Sequence, residues 1–152
     1  MPLDLDDTVA ILVHKSGVGD ARALAELRIG LPNLIDWVEL EGLAREAREV
    51  WADATAGGDP VRRAACLKGL ERAAARLVRR GAGPLERLLA GWAALANARL
   101  ADVRRLEEGA VDEGAPPFVV RDLARRVQRA ERDAASATRT LRALQNRLSA
   151  GL

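Results

Sequence analysis

The chain has 152 residues, of which 49% are hydrophobic and 30% are charged, and its formal net charge is +2. This length fits one domain, or a small domain with an appendage, and the apolar fraction is large enough to build a core. Ala, Leu and Arg dominate with 30, 23 and 22 copies, whereas aromatic residues make up 3% and Tyr is absent. Such a composition favours helices and argues against a β-sandwich, a β-barrel or a disordered tail.

Residues that carry catalytic or metal chemistry are scarce. Cys66 is the single cysteine and His14 the single histidine, which argues against a disulfide, a cysteine-based metal site and a pair of histidine ligands. We therefore expect no catalytic residue, no cofactor and no metal in this chain. The acidic start, MPLDLDD, lacks the features of a signal peptide, and no apolar run reaches about 18 residues, so we expect a cytoplasmic protein.

Charge is divided unevenly along the chain. Residues 1–60 contain 5 Lys or Arg against 12 Asp or Glu, a balance of −7, and residues 61–152 contain 19 against 10, a balance of +9. This division indicates either a basic face that meets an anionic partner, or basic helices that pair with the acidic segment of the same or a neighbouring chain. The predicted units are an N-terminal segment, 1–57, and a C-terminal helical region, 58–152.

The first part of the chain predicts a small α/β or α segment. Residues 8–14, TVAILVH, have the length and the β-branched content of a buried strand. KSGVGD follows as a turn, and Asp20 can cap a helix over 21–30. Residues 34–40, LIDWVEL, are compatible with a second strand and equally with the start of a helix that runs to Ala54. A strand–helix–strand unit is therefore one interpretation of this part.

From residue 59 onward the pattern indicates a helical bundle. Asp59 followed by proline is an N-cap signal, and the helix it begins is predicted to end near Arg80, at Gly81. Gly83 and the proline after it begin the next helix, which is expected over about 85–108. Its apolar stripe is Leu85, Leu88, Leu89, Trp92, Leu95, Leu100, Val103 and Leu106. A loop rich in Gly, Pro and acidic residues is predicted from Gly109 to Pro117.

The last segment carries a heptad pattern. Apolar residues recur at spacings of 4 and 3, at Leu123, Val127, Ala130, Ala134, Ala137, Leu141, Leu144 and Leu148. This spacing predicts one apolar seam along a helix, with small alanines at its centre that allow close approach of a neighbouring helix. Arginines occupy the polar positions, and Arg125, Arg129 and Arg132 share one helical face. They are candidate phosphate contacts, although no aromatic residue lies between them to stack bases and a solvated or ion-paired face is the alternative.

The order of turns resembles a known family. AGGDPVRRAACLKGLERAAARLVRRGAGPLERLLAGWAALANARLADVRRLEEG contains a Gly-Asp step, a helix of small and apolar residues, a Gly-x-x-Pro turn and a Leu-rich helix. PPFVVRDLARRVQRAERDAASATRTLRALQNRLSAG then adds a Pro-aromatic step and an Arg-rich region. From about Thr55 this order resembles the C-terminal helical region of the delta subunit of bacterial DNA polymerase III, the clamp-loader subunit that opens the sliding clamp.

The resemblance implies a non-catalytic subunit of the DNA replication clamp loader. Its helical collar would hold subunits of a ring together, with other clamp-loader subunits or a second copy as partners and with possible contact to the DNA backbone. Within such a collar we expect seven subunit-interface residues, chosen from the apolar stripes alone: Trp92, Leu95, Val103, Leu106, Phe118, Leu123 and Val127. The family's chain is much longer, so this sequence would be a fragment or a shortened relative. The family also breaks the last helix, and we expect that break at Asp133, which can cap a new helix, although the heptad pattern favours one continuous helix.

Two other classes of protein compete with the clamp-loader interpretation. The first is a small terminase-like DNA-packaging subunit, in which residues 8–40 would be a helical DNA-binding head and residues 85–148 an antiparallel hairpin that builds an oligomeric ring. The second is a stand-alone helical adaptor that recruits proteins through its acidic N-terminal part.

Overall fold

The computed structural model describes residues 34–150, which form four α-helices. They are α1 Leu34–Ala56, α2 Pro60–Leu77, α3 Pro84–Asp112 and α4 Pro117–Ala150. No strand lies between residues 34 and 150, and the predicted mainly α bundle is confirmed. Residues 34–40 belong to α1, which decides between their two predicted conformations in favour of the helix.

Three predictions fall on residues outside the described range. They are the strand at 8–14, the turn at 15–20 and the helix at 21–30. The fold is therefore that of residues 34–150 alone.

Helices α2 and α3 begin where the sequence predicts. The carboxylate of Asp59, the N-cap of α2, accepts hydrogen bonds from the backbone N–H groups of Val61 at 2.9 Å and Arg62 at 3.3 Å. Proline follows at the first helical position, where its missing N–H is no loss. Gly83 is the N-cap of α3 and is again followed by proline, without a side-chain cap.

Helix α2 ends at Leu77, about three residues before the predicted end near Arg80. The carbonyl oxygen of Leu77 accepts a hydrogen bond from Gln145 of α4 at 2.9 Å. The backbone N–H of Arg79 donates to the carboxylate of Glu86 in α3, also at 2.9 Å. Contacts with other helices thus satisfy backbone groups that a further helical turn would have used, so the chain leaves the helix early.

The turn between α3 and α4 is shorter than predicted. A loop was expected from Gly109 to Pro117, but α3 continues through Asp112. The four residues 113–116 reverse the chain around Gly114, whose φ is +69°. The N–H groups of Gly114 and of the next residue bond to carbonyl oxygens of the last helical turn at 3.1 and 2.9 Å. This is the paired hydrogen-bond pattern that ends a helix at a left-handed glycine.

Helices α3 and α4 pack as an antiparallel hairpin along the predicted seam. Every predicted seam position of α4 is buried or half-buried. One cluster of buried residues joins the start of α3 to the end of α4, and a second lies nearer the turn. The first contains Leu89, Ala90, Ala93, Ala137, Leu141 and Leu144, and the second contains Leu100, Val127 and Ala134. The hairpin therefore provides the main core of the described residues.

Helix α4 is continuous over its 34 residues, so the break expected at Asp133 is wrong. Asp133 is exposed, whereas Ala134 and Ala137 just beyond it are buried against α3. A break would interrupt the seam at these alanines and return apolar surface to water. Continuity of the seam therefore outweighs the capping tendency of one aspartate.

Helix α1 packs against both α2 and α3. Among residues 42–56 of this helix, the buried side chains are small, with Ala44, Ala52 and Ala56 facing inward. An ion pair between Asp53 and Arg63 joins α1 to α2. The predicted unit boundary after residue 57 thus lies between two helices that are in contact.

Candidate functional site

The predicted interface residues divide by exposure. Leu95 is 1% exposed and Val127 is buried as well. Both side chains therefore pack inside the bundle and do not belong to the candidate contact surface. Trp92, Val103 and Leu123 are half-buried. The remaining two, Leu106 and Phe118, are exposed. They are the predicted residues that a neighbouring subunit could reach most directly.

Three large apolar side chains are exposed at the end of the hairpin that contains the turn. Leu106 is 60%, Val111 57% and Phe118 71% exposed. We call this set the hairpin tip. A single exposed apolar residue is ordinary, but several at one end of an element mark a surface suited to contact with another molecule. Val111 was not among the predicted interface residues, because it lies in the stretch that was expected to form a loop.

An open groove of about 670 Å³ lies beside the hairpin tip and is lined by residues from all four helices. We call it the arginine groove. Arginines line it at positions 62, 99, 105, 126 and 129, together with two aspartates, Asp102 and Asp133. Five cations against two anions give the lining a balance of +3. Trp51 from α1 forms part of the wall, and Leu106 belongs both to this groove and to the hairpin tip.

Asp102 organises one wall of the arginine groove. Its carboxylate accepts a hydrogen bond from the indole Nε1 of Trp51 at 2.8 Å and one from the hydroxyl of Thr55 at 3.4 Å. The guanidinium of Arg105 also donates to it at 2.9 Å. These bonds fix the edge of Trp51 and join α1 to α3. Asp102 therefore has a structural role and is neutralised within its own wall.

Three of the groove arginines keep their charge available. Arg126 pairs with Asp122 at 2.9 Å, and Arg105 with Asp102. By contrast, the guanidinium groups of Arg62, Arg99 and Arg129 have no ion-pair partner within residues 34–150. They come from α2, α3 and α4 and line the same groove. Such a convergence is suited to binding an anion, because guanidinium groups bind carboxylate and phosphate with two parallel hydrogen bonds.

The predicted phosphate contacts do not share one site. Arg129 lines the arginine groove, whereas Arg132 lines a separate shallow depression with Arg139. Arg125 is exposed and lines neither of these two surfaces. No aromatic residue lies between these arginines in the sequence, but α1 brings Trp51 to the groove that Arg129 lines.

A second polar cluster lies at the opposite end of the hairpin. Glu86 is 3% exposed and accepts hydrogen bonds from the backbone N–H of Arg79 at 2.9 Å and the side-chain amide of Gln145 at 2.8 Å. Desolvation, the largest single effect, would raise the pKa of Glu86. The hydrogen bonds from Arg79 and Gln145, with the nearby guanidinium charge of Arg79, together outweigh it and hold the pKa below its ordinary value. These hydrogen bonds join the end of α2 to α3 and α4. The cluster therefore stabilises the fold.

The described residues offer no metal-binding constellation. Within 34–150, no group of three or more His, Cys, Asp or Glu side chains is placed to hold an ion. Cys66 is half-buried in α2. None of the helices α1 to α4 is long and apolar enough to cross a membrane.

The fold and the two surfaces define a class of protein, a helical bundle with an exposed apolar tip and a basic groove. Comparison with known proteins takes the assignment no further: no protein-family model, no curated protein and no solved structure matches the chain.

Proposed function

We propose that this chain is a non-catalytic subunit that helps to hold a DNA-replication clamp loader together. The hairpin tip is the contact surface, and the bundle holds that tip in a fixed position. ATP binding and hydrolysis take place in other subunits of the assembly. The order of turns that resembles the delta subunit supplies the identity of the assembly in this proposal.

The exposure of the hairpin tip is the observation that carries the proposal. Leu106, Val111 and Phe118 together present apolar surface to water on both sides of a tight turn. Full burial of one such side chain contributes roughly 1.5–3 kcal/mol. A neighbouring subunit that covers the tip would gain the part of this contribution that belongs to the exposed 57–71% of each side chain.

A small terminase-like DNA-packaging subunit is the second candidate. It is favoured by the arginines of α4, since all eight, at 121, 125, 126, 129, 132, 139, 142 and 147, are exposed. A homo-oligomer that binds DNA through such residues would lose affinity steeply as salt is raised.

Co-purification from the native host tests the proposal. The full chain is tagged, recovered at low salt and measured by native mass spectrometry, beside the variant Val111→Ser/Phe118→Ser. The matched control is Val50→Ser/Val61→Ser, which also removes two exposed apolar side chains, one on α1 and one on α2. We expect clamp-loader subunits with the wild type and the control, and a loss of at least about tenfold with the tip variant.

The other results are equally informative. Clamp-loader subunits retained by the tip variant would contradict the role of the hairpin tip. A homo-oligomer whose DNA affinity falls steeply with salt would replace the proposal with the terminase-like function. A monomer that recovers neither DNA nor replication subunits would favour the third class of protein, the stand-alone helical adaptor. Circular dichroism of each variant shows whether the helices are intact.

A further inference from the structure

We infer that the arginine groove binds an acidic segment of a partner protein in which apolar residues alternate with carboxylates. This inference goes beyond the proposed function, because it holds for any assembly that includes the chain. It concerns a surface whose arginines and Trp51 do not belong to the hairpin tip.

Charge is the first observation. Arg62, Arg99 and Arg129 reach the groove from three different helices, and none has a carboxylate partner within the described residues. A bundle stabilised by packing does not need its unpaired arginines on one surface. Carboxylates of a bound segment would supply the missing counter-charges, with the two-point geometry that guanidinium groups favour.

The walls of the groove are the second observation. Trp51, Val103 and Leu106 line it between the arginines. The indole of Trp51 is held by its hydrogen bond to Asp102 at 2.8 Å, so this wall is already positioned before a ligand binds. Leucine or a similar side chain between the acidic residues of the segment would cover this apolar surface. The continuation of the groove into Leu106 extends the same surface towards the hairpin tip.

The carboxylate of Asp133 in the groove favours a bound peptide over a nucleic acid strand. Asp133 lines the groove and has no ion pair within the described residues. A nucleic acid strand carries a negative charge at every phosphate, and a phosphate beside Asp133 would be repelled. A peptide alternates its carboxylates with backbone N–H groups, which can donate to Asp133. The mixed lining of the groove therefore matches a peptide better than a continuous polyanion.

Peptide binding by fluorescence anisotropy tests the inference on the full chain. The probe is a fluorescein-labelled ten-residue peptide of alternating Glu and Leu, and its matched control replaces each Glu by Gln. The groove variant is Arg99→Gln/Arg129→Gln. The control variant is Arg142→Gln/Arg147→Gln, which removes two exposed charges of α4 outside the groove.

We expect the Glu peptide to bind the wild type at least about tenfold more tightly than the Gln peptide. The groove variant should lose at least about tenfold in affinity for the Glu peptide, and the control variant less than about twofold. Circular dichroism should show equal helicity for both variants, because all four substituted arginines are exposed.

Several results would overturn the inference. Equal binding of the Glu and Gln peptides, equal losses in the two variants, or no binding of the Glu peptide would each do so. A labelled ten-nucleotide oligothymidylate that binds more tightly than the peptide and depends on Arg99 and Arg129 would make the groove a nucleic acid site. The tip variant Val111→Ser/Phe118→Ser leaves the groove lining unchanged, so failure of this inference and failure of the proposed function are distinguishable.

Discussion

Substitution of Glu86 tests how the end of the hairpin opposite the tip is stabilised. Its carboxylate is 3% exposed and accepts two short hydrogen bonds, from the Arg79 N–H at 2.9 Å and the Gln145 amide at 2.8 Å. A hydrogen bond to a charged acceptor contributes about 1.5 kcal/mol or more, so Glu86→Ala should lower the free energy of unfolding by about 3 kcal/mol. The Arg79 Nε contact, at 3.4 Å and partly exposed, adds little.

The conservative variant separates charge from geometry. Glu86→Gln keeps one oxygen acceptor but loses the charge, so we expect a loss of about 1.5 kcal/mol, half of that for alanine. Urea unfolding followed by circular dichroism measures both, as a lower midpoint at an unchanged denaturant slope. Glu108→Gln, at an exposed position of the same helix, is the control and should change stability by less than about 0.5 kcal/mol. An alanine variant as stable as this control would refute the reasoning.

The lowered pKa of Glu86 adds a prediction about pH. Because the folded pKa lies below the unfolded value of about 4.3, the unfolded chain binds the proton more readily. The stabilisation is therefore present above about pH 4.3 and is lost as the pH falls through the folded pKa. Urea unfolding across this range should show a smaller acid loss for Glu86→Gln than for the wild type. Equal acid losses for the two chains would contradict the assigned hydrogen bonds.

Three further substitutions examine the bundle. Asp133→Ala should leave stability unchanged or raise it by up to about 0.7 kcal/mol in urea unfolding, since alanine is the better residue inside a helix; a loss of about 1 kcal/mol would instead indicate a cap. Ala137→Leu in the buried seam should cost about 1–3 kcal/mol by overpacking, whereas the exposed Ala135→Leu should be nearly neutral in the same assay. Trp51→Phe removes the hydrogen bond to Asp102 and should lower the free energy of unfolding by about 1–3 kcal/mol; no change would show that solvent replaces that bond.

Local signals predicted the parts of the fold that depend on neighbouring residues. The cap at Asp59, the glycine-proline start after Gly83 and the seam of α4 each depend on residues within a few turns of one another. The early end of α2 could not be predicted in this way. It depends on Gln145 and Glu86, which are separated in sequence by 68 and 7 residues from their bonding partners near the end of α2.

The candidate sites show the same division between local and distant information. Leu106 and Phe118 were predicted from apolar stripes, and both are exposed at the hairpin tip. The stripe could not show that Leu95 is enclosed, because enclosure depends on the helices that surround α3. The arginine groove was not predicted, since Trp51 lies 48 residues before Arg99 and 78 before Arg129 and only the packing of α1 on α3 brings them together.

The four-residue connection between α3 and α4 has a consequence for the order of folding. Closing so short a loop restricts few residues, and two clusters of buried side chains then form between helices that are consecutive in the chain. Proteins whose contacts are mostly between sequence neighbours fold fast, often within milliseconds or less. We therefore expect the α3–α4 pair to form first and α1, whose Trp51 donates a hydrogen bond to Asp102 of α3, to pack on it afterwards.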